Sequence, residues 1–237
     1  MRLCTGFLFA TFLATAVSAH GDIVIDNFSC SDTVGLTGAS GFNDNVISCP
    51  GSIGGGREDF IFVGGGSDTS VSTMNSNPPS GAITGTFGSG ITGYEGMYWG
   101  NVPNLDLVGD SILVQLQSDF GGSVTVYLGP PLDDLYTTET FSGSPSYQDV
   151  LIPLTDLTVL GTGGGVNQDD VTQIGFYIGL DSAGGTWTID GIKAVPEPST
   201  LLLTGICFLG ILTRSIWRRS ARRNSSIFAG TGDFQSR

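Results

Sequence analysis

Between residues 22 and 195, hydrophobic and polar positions alternate in short runs. In SILVQLQS (111–118), Ile112, Val114 and Leu116 share one face, and the intervening positions share the other. Period two over so few residues is typical of antiparallel strands with one buried face. Similar runs rich in β-branched and aromatic residues are 22–28, 58–64, 69–74, 82–87, 91–99, 123–129, 147–154, 172–180 and 185–194.

Turn-forming sequences separate these runs, namely GGG at 54–56 and 64–66, NPPSG at 77–81, DFGG at 119–122 and GTGGG at 161–165. Glycine accounts for 37 of the 237 residues, more than twice the usual share of about 7%. The pattern predicts an all-β fold, an antiparallel β-sandwich or jelly roll of about ten short strands. A β-helix is the alternative, but the runs have no constant repeat period.

The first 19 residues have the three parts of a signal peptide. Arg2 precedes an apolar stretch at 7–13, and small residues follow, with Val17 and Ala19 at the −3 and −1 positions. We therefore predict cleavage by signal peptidase between Ala19 and His20. A permanent membrane anchor is the alternative, but its apolar core would be too short.

A second apolar run occupies residues 201–217, with Arg214 inside it. Its length is at the lower limit of about 17–25 residues for a transmembrane helix. Basic residues on its C-terminal side predict that this side stays in the cytoplasm. They are Arg214, Arg218, Arg219, Arg222 and Arg223.

The motif Val195-Pro196-Glu197-Pro198, followed by the apolar run and the arginines, resembles the PEP-CTERM sorting signal of exported proteins in exopolysaccharide-producing Gram-negative bacteria. The resemblance implies recognition by exosortase, a membrane-embedded cysteine transpeptidase-like enzyme, and removal of the tail. Proline lacks a backbone N–H and restricts the preceding residue, so the motif itself is expected to be extended. Family members usually end soon after the basic cluster, whereas this chain continues to residue 237.

These features divide the chain into a signal peptide (1–19), an exported domain (20–194), the sorting signal (195–223) and a cytoplasmic tail (224–237). From His20 to Val195, 20 acidic residues face only Arg57 and Lys193, a net charge of −18. This composition excludes nucleic-acid binding, which requires clustered cations. It also disfavours contact with an anionic membrane surface.

The exported domain also resembles, more faintly, galactose-binding-like jelly rolls. The resemblance is carried by DIVIDNF (22–28) at its start, and by IGFYIGL (174–180) and GTWTIDGIKA (185–194) at its end. It implies that the first and last strands pair, and that the fold is one shared by many carbohydrate-binding modules.

Two cysteines, Cys30 and Cys49, lie in the exported region, where disulfides persist. Closing a loop of this size would stabilise the fold by roughly 3 kcal/mol in the chain-entropy model. The loop is rich in Gly, Ser and Asn and has little else to order it. We predict a disulfide, with two free thiols as the alternative.

Catalytic motifs are scarce in this sequence. Its single histidine, His20, leaves no Ser-His-Asp, Cys-His or histidine-based zinc site within the domain. Neighbouring carboxylates such as Glu58 and Asp59 would point to opposite faces of a strand. No cofactor is expected apart from a candidate structural calcium site, because hard cations prefer oxygen ligands. Its ligands would be Asp22, Asp26 and Asp190, with a solvated acidic surface as the alternative.

Aromatic side chains offer the other candidate site. Tyr94, Tyr98 and Trp99 cluster between glycines and could stack on sugar rings, with Tyr127, Tyr136 and Tyr147 as further candidates. Burial in the sandwich core is the alternative, and it is the expectation for Trp187.

The sequence thus predicts a non-catalytic protein of the envelope or extracellular matrix, reached through an inner-membrane intermediate. Its expected partners are signal peptidase, exosortase, the membrane and exopolysaccharide. An extracellular carbohydrate-active enzyme that uses carboxylates is the alternative.

Overall fold

A computed structural model describes residues 21–197, apart from 39, 66–70, 78–80, 130–134, 156 and 160–166. The predicted signal peptide, membrane helix, arginine cluster and tail lie outside these residues, as does Pro198. Over the described residues, no helix combines the length and the hydropathy that crossing a membrane requires.

The strands are short and follow one another through tight turns, as the sequence predicts. In chain order they are β1 (Ile23–Asp26), β2 (Asp32–Thr37), β3 (Gly41–Ser48), β4 (Gly56–Gly65), β5 (Val71–Asn77), β6 (Ala82–Phe87), β7 (Thr92–Trp99), β8 (Asp110–Ser118), β9 (Gly122–Leu128), β10 (Leu135–Phe141), β11 (Ser144–Pro153), β12 (Thr158–Val159), β13 (Ile174–Leu180) and β14 (Gly185–Pro196). A 3-10 turn, Ile53–Gly55, lies between β3 and β4.

Within the described residues these strands form two seven-stranded antiparallel sheets, which confirms the predicted all-β sandwich of jelly-roll type. Sheet A has the order β11-β8-β14-β6-β5-β2, with β1 also paired to β14, and sheet B has the order β12-β10-β9-β13-β7-β4-β3. The expected pairing of the first and last strands is present, since Ile23 lies opposite Ala194. A bulge between Ile189 and Gly191 divides β14.

Side-chain alternation places the core between the sheets. Ile112, Val114 and Leu116 of β8 are buried, as predicted, while the positions between them are half-buried on the outer face. The large buried residues include Trp99 from sheet B and Trp187 from sheet A. Period two in the sequence therefore translates directly into one buried face per strand.

The loop between the cysteines departs from the prediction because it contains two strands. β2 pairs with β5, and β3 pairs with β4. Asn43 adds a link between the sheets by donating from Nδ2 to the carbonyl of Gly35 at 2.7 Å. Both strands have turn-like compositions, and their neighbours supply the hydrogen bonds that order them. β10 was also missed from the sequence.

A buried guanidinium joins the two sheets. Arg57 on β4 donates from Nε and Nη2 to the carboxylate of Asp59 at 2.7 and 2.9 Å, and from Nη1 to Asp26 on β1 at 3.0 Å. Its Nη2 also donates to Ser76 Oγ on β5 at 3.1 Å. Burial alone would lower the pKa of Arg57, but hydrogen bonding and the charges of Asp59 and Asp26 raise it above its ordinary value.

Asp26 has further donors in this centre. Trp99 donates from Nε1 to Asp26 Oδ2 at 3.0 Å, and the backbone N–H of Phe28 donates to Oδ1 at 2.6 Å. We call Asp26, Arg57, Asp59, Ser76 and Trp99 the polar centre. It connects β1 and β5 of sheet A with β4 and β7 of sheet B.

A second buried polar contact also bridges the sheets. Trp187 on β14 donates from Nε1 to Glu95 Oε2 on β7 at 2.7 Å. Burial raises the pKa of Glu95 to about 8, although the hydrogen bond from Trp187 lowers it. This carboxyl group is therefore mainly neutral at pH 7, which avoids a second buried charge.

Replacing Arg57 with Met should lower the free energy of unfolding by about 3–5 kcal/mol, because it leaves buried carboxylates without a counter-charge. Urea unfolding of wild type and variant measures the change. Lys193→Met is the control, since it removes the domain's other basic side chain from the outer face of β14. Equal losses in both variants would contradict a special role for the polar centre.

Candidate functional site

The outer face of sheet B carries a groove of about 440 Å³ lined mainly by aromatic side chains. We call it the aromatic groove. Its lining residues come from five adjacent strands, and they are Phe42, Glu58, Phe60, Phe62, Tyr94, Tyr98, Tyr127, Gly175 and Tyr177.

Strand register brings these rings together. Phe62 lies between Phe42 on β3 and Tyr94 on β7, so three rings form one row across the sheet. Tyr98 lies opposite Glu58 on one side and Gly175 on the other. Side chains directly opposite each other on adjacent strands are close enough to contact, so residues far apart in the chain form one surface.

The rings also contact one another in an unbroken series across the sheet. Ring centroids are separated by 6.0 Å for Phe42–Phe60, 5.0 Å for Phe60–Tyr177, 4.6 Å for Tyr177–Tyr127 and 5.7 Å for Tyr127–Tyr136. These distances are typical of favourable aromatic pairs. The series fixes ring orientations before any ligand arrives.

Glycines form part of the groove floor. A Cβ on Gly179 would lie 3.2 Å from the ring of Tyr94, and one on Gly96 would collide with the ring of Phe60. Each ring therefore packs closely against a glycine of the neighbouring strand. A larger residue at either position would displace the ring.

The predicted trio Tyr94, Tyr98 and Trp99 is divided by strand alternation. Tyr94 is 52% exposed and Tyr98 is half-buried, and both line the aromatic groove. Trp99 is fully buried and belongs to the polar centre. Its assignment to a sugar-stacking surface is therefore wrong, because odd-numbered positions of β7 face the core near this end.

The further candidates also separate. Tyr127 lines the aromatic groove, and Tyr136 extends its ring series. Tyr147 lies on β11 of sheet A, away from the groove strands. Phe42, Phe60, Phe62 and Tyr177 also line the groove and were not predicted from the sequence, although alternation within β4 places Phe60 and Phe62 on the same face.

One end of the groove is acidic. The Glu58 side chain is hydrogen-bonded to Asp44 on the neighbouring strand, and burial followed by the charge of Asp44 raises the pKa of Glu58. Arg57 is adjacent in sequence but points inward, with its guanidinium bound in the polar centre. Of the residues that the structure describes, those lining the aromatic groove include no cationic side chain.

The candidate calcium ligands occupy different environments. Asp26 is fully buried and bound by Arg57 and Trp99, whereas Asp22 and Asp190 are exposed. Asp26 is thus committed to the polar centre, and its assignment as a calcium ligand is wrong. Among the described residues, no group of three or more His, Cys, Asp or Glu side chains could hold a metal ion.

Cys30 and Cys49 form the predicted disulfide, with Cα atoms 5.5 Å apart. The bond ties the segment before β2 to the end of β3. The backbone N–H of Cys49 donates to Gly55 O at 2.9 Å. The disulfide therefore also anchors the glycine-rich turn that precedes β4.

The first residues of the predicted sorting motif belong to the folded domain. Pro196 ends β14 opposite Asp110 on β8. The backbone N–H of Glu197 donates to Gly109 O at 3.0 Å, and Ser111 Oγ donates to Glu197 Oε1 at 2.9 Å. The motif is extended here, as predicted, and its residues Val195–Glu197 pair with or hydrogen-bond to β8 and the residue before it.

Comparison with known families identifies a PEP-CTERM protein-sorting motif at residues 194–219. The motif marks an exported protein that is sorted through the membrane to the envelope. No curated protein matches the chain.

Several solved structures of carbohydrate-binding modules are similar in fold. A family 11 module from Clostridium thermocellum, in complex with a β-1,3-1,4-mixed-linked tetrasaccharide, is 14% identical with a TM-score of 0.42, covering 76% of this chain and 98% of that one. The family 11 module of the cellulosomal cellulase Lic26A-Cel5E from the same organism is 15% identical with a TM-score of 0.43, covering 76% and 96%. A family 29 module is 14% identical with a TM-score of 0.38, covering 74% and 92%.

Truncating Trp99 to Ala should reduce the free energy of unfolding by about 3–5 kcal/mol, the usual cost of removing a buried large aromatic ring. Tyr94→Ala, five residues earlier on the same strand and on its opposite face, should cost much less because its ring is half exposed. Thermal melts of both variants test this contrast. A larger loss for Tyr94→Ala than for Trp99→Ala would reverse the assignment of faces.

Proposed function

We propose that this protein is a non-catalytic component of the cell envelope or extracellular matrix that binds an uncharged polysaccharide in the aromatic groove. Signal peptidase would remove the signal peptide by cleaving after Ala19, and exosortase would recognise the sorting signal. The exopolysaccharide of the producing cell would be the ligand.

The observation that carries this proposal is the series of aromatic rings on an outer face of sheet B. Phe42 and Phe62 are 57% and 45% exposed, so large apolar rings remain in water. Contiguous apolar surface of this kind marks interaction sites. The apolar faces of sugar rings match it, while tyrosine rings combine an apolar body with a polar hydroxyl.

Charge indicates which polysaccharides would bind. The groove has Glu58 beside Asp44 and no cationic lining residue. Uronic-acid or sulfated polymers would be repelled by these carboxylates and by the net charge of −18 in the surrounding domain. A neutral polymer meets no such penalty.

Export is supported independently of the groove. The sorting motif, the Cys30–Cys49 disulfide and the signal-like N-terminus all suit a protein that matures outside the cytoplasm. These features support the proposed location, and the groove supports the proposed ligand class.

The alternative of a glycosidase has less support. Such enzymes hold two carboxyl groups about 5–9.5 Å apart across a cleft. Glu58 and Asp44 are in hydrogen-bond contact instead, and Asp59 points into the core. The groove is built for stacking rather than for acid–base chemistry.

The proposal is tested by electrophoresis of the exported domain through gels that contain a neutral β-glucan or alginate, a polyuronate. Migration should be retarded by the neutral polymer alone. Tyr94→Ala should weaken this binding by about 2 kcal/mol or more if the ring is an energetic anchor. Tyr147→Ala is the matched control, because that tyrosine is 47% exposed on sheet A.

Retardation by neither polymer, with the host exopolysaccharide also failing to bind, would reject the proposal. Equal effects of Tyr94→Ala and Tyr147→Ala would place the binding surface elsewhere.

A further inference from the structure

A second cavity, of about 450 Å³, adjoins the aromatic groove. Glu58 and Tyr98 line both cavities, so the two spaces meet at these side chains. The remaining wall of the second cavity comes from the end of β3, the turn at 54–56 and the segment that follows β7. We call it the polar extension.

We infer that one uncharged polysaccharide chain occupies both cavities, so that the domain recognises an internal stretch of a polymer rather than a single sugar. This inference rests on the proposed function. The chain would follow β7 from Tyr94, past Tyr98, to Asn101. The five residue steps of extended backbone from Tyr94 to Trp99 cover about 17 Å, which is the length of a short oligosaccharide.

The two cavities offer complementary chemistry to such a chain. The aromatic groove is lined mainly by rings, whereas the polar extension adds Asn101, Ser48 and glycine backbone beside the apolar residues Val46 and Ile47. Asn101 is exposed and adopts φ of 55°, a left-handed conformation that places it at a sharp bend. Hydroxyl groups of a sugar can pair with these neutral donors and acceptors.

Close backbone packing builds the wall of the polar extension. Gly54, with φ of 78°, packs so tightly that a Cβ there would lie 2.8 Å from Gly100 O and 3.0 Å from Asn101 O. The turn thus needs glycine both for its conformation and for this approach. Gly54 holds the backbone of Asn101 in position.

The disulfide stabilises the same wall. Cys49 N–H donates to Gly55 O at 2.9 Å, and Ser52 Oγ donates to Cys49 O at 2.8 Å. Cys49 in turn is bonded to Cys30. Oxidation outside the cytoplasm would therefore order the polar extension, while the aromatic groove depends on strands that pair without it.

The charges along both cavities favour the same class of ligand, a neutral polymer. Arg57 lines the polar extension, but its guanidinium is bound to Asp26 and Asp59 and is buried. No free cation of the described residues reaches either cavity wall. The extension therefore selects for polymer length without changing the preference for a neutral ligand.

The test is isothermal titration of the exported domain with a size-graded series of neutral β-glucan oligosaccharides. Affinity should rise with length until both cavities are filled. Asn101→Gly, which keeps the left-handed backbone and removes the amide, should weaken the longest oligosaccharides about five-fold and leave the shortest unchanged. Tyr94→Ala should weaken all lengths that bind.

The extension would be rejected if short and long oligosaccharides bound with equal affinity and Asn101→Gly left that affinity unchanged. If Tyr94→Ala still weakened binding, the aromatic site would be retained. Absence of binding to every length would reject the proposed function itself. A folded Cys30→Ser/Cys49→Ser double variant should bind short oligosaccharides as the wild type does. Its affinity should no longer rise with oligosaccharide length.

The start of the sorting motif is held by hydrogen bonds to the folded domain. Its first residues continue β14 against β8, with the Glu197 N–H bound to Gly109 and its carboxylate bound to Ser111. Val195, Pro196 and Glu197 are all half-buried. A recognising enzyme would compete with these contacts for the same backbone and carboxylate.

We propose that contacts within the folded domain keep the start of the motif inaccessible to the sorting enzyme. The enzyme would bind it only when the end of β14 separates from β8. Strand ends open far more often than strand centres do, so this opening is compatible with a folded domain. Sorting would then respond to the local stability of one strand end.

Pulse-chase labelling of the full chain in its host tests this, with the rate of departure from the inner-membrane fraction as the readout. Ser111→Ala should raise this rate about three-fold, because one hydrogen bond on Glu197 is lost. Ser118→Ala is the matched control, since Ser118 Oγ donates to Thr186 O at 3.3 Å between the same strands at their far end. Hydrogen exchange at the Glu197 amide should accelerate only in Ser111→Ala.

Faster exchange at Glu197 with an unchanged sorting rate would overturn the proposal. Slower sorting of Ser111→Ala would also overturn it, because the enzyme would then be reading the docked motif.

Discussion

The Arg57 guanidinium is the contact on which the arrangement of both sheets depends. It binds Asp59 within sheet B and reaches Asp26 and Ser76 in sheet A, so two sheets share one buried charge. Each carboxylate is acceptable in the interior only because this cation is present. Trp99 completes the centre by donating to Asp26. The relative position of β1, β4, β5 and β7 follows from satisfying these few groups together.

The same contacts determine what sheet B presents outward. When Arg57 and Asp59 point inward on β4, Glu58 and Phe60 must take positions on the opposite face, because successive strand residues alternate. When Trp99 points inward on β7, Tyr98 must point outward. The aromatic groove is thus the outer face of the strands that hold the polar centre. On these strands a buried ion-pair centre lies on the inner face and a row of partly exposed rings lies on the outer face, and exposed rings of this kind indicate an interaction surface.

The last strand connects the fold with its sorting signal. β14 pairs with β8, β6 and β1, so it is among the most connected strands of sheet A. Its final residues are also the first residues of the PEP-CTERM motif. The contact between Ser111 and Glu197 makes the beginning of the motif a part of the sandwich rather than of a linker. Folding of the domain and presentation of the motif therefore share one set of hydrogen bonds.

Local pattern in the sequence determined the fold class, the buried face of β8, the pairing of the two exported cysteines and the identity of the sorting motif, because each depends on neighbouring residues or on residue type. It did not reveal β2 and β3, whose polar, turn-like compositions become strands only when partner strands supply hydrogen bonds. It also did not reveal β10, although the threonines and aromatic residues of LYTTETF favour a strand. It also grouped Trp99 with Tyr94 and Tyr98, although pleating sends these side chains to opposite faces. Only the tertiary structure decided that Phe42, Phe62 and Tyr177 share one groove, since strand register joins residues separated by more than a hundred positions. Only the tertiary structure showed that Asp26 binds the Arg57 guanidinium and is not available to a calcium ion, because Arg57 reaches it from the other sheet.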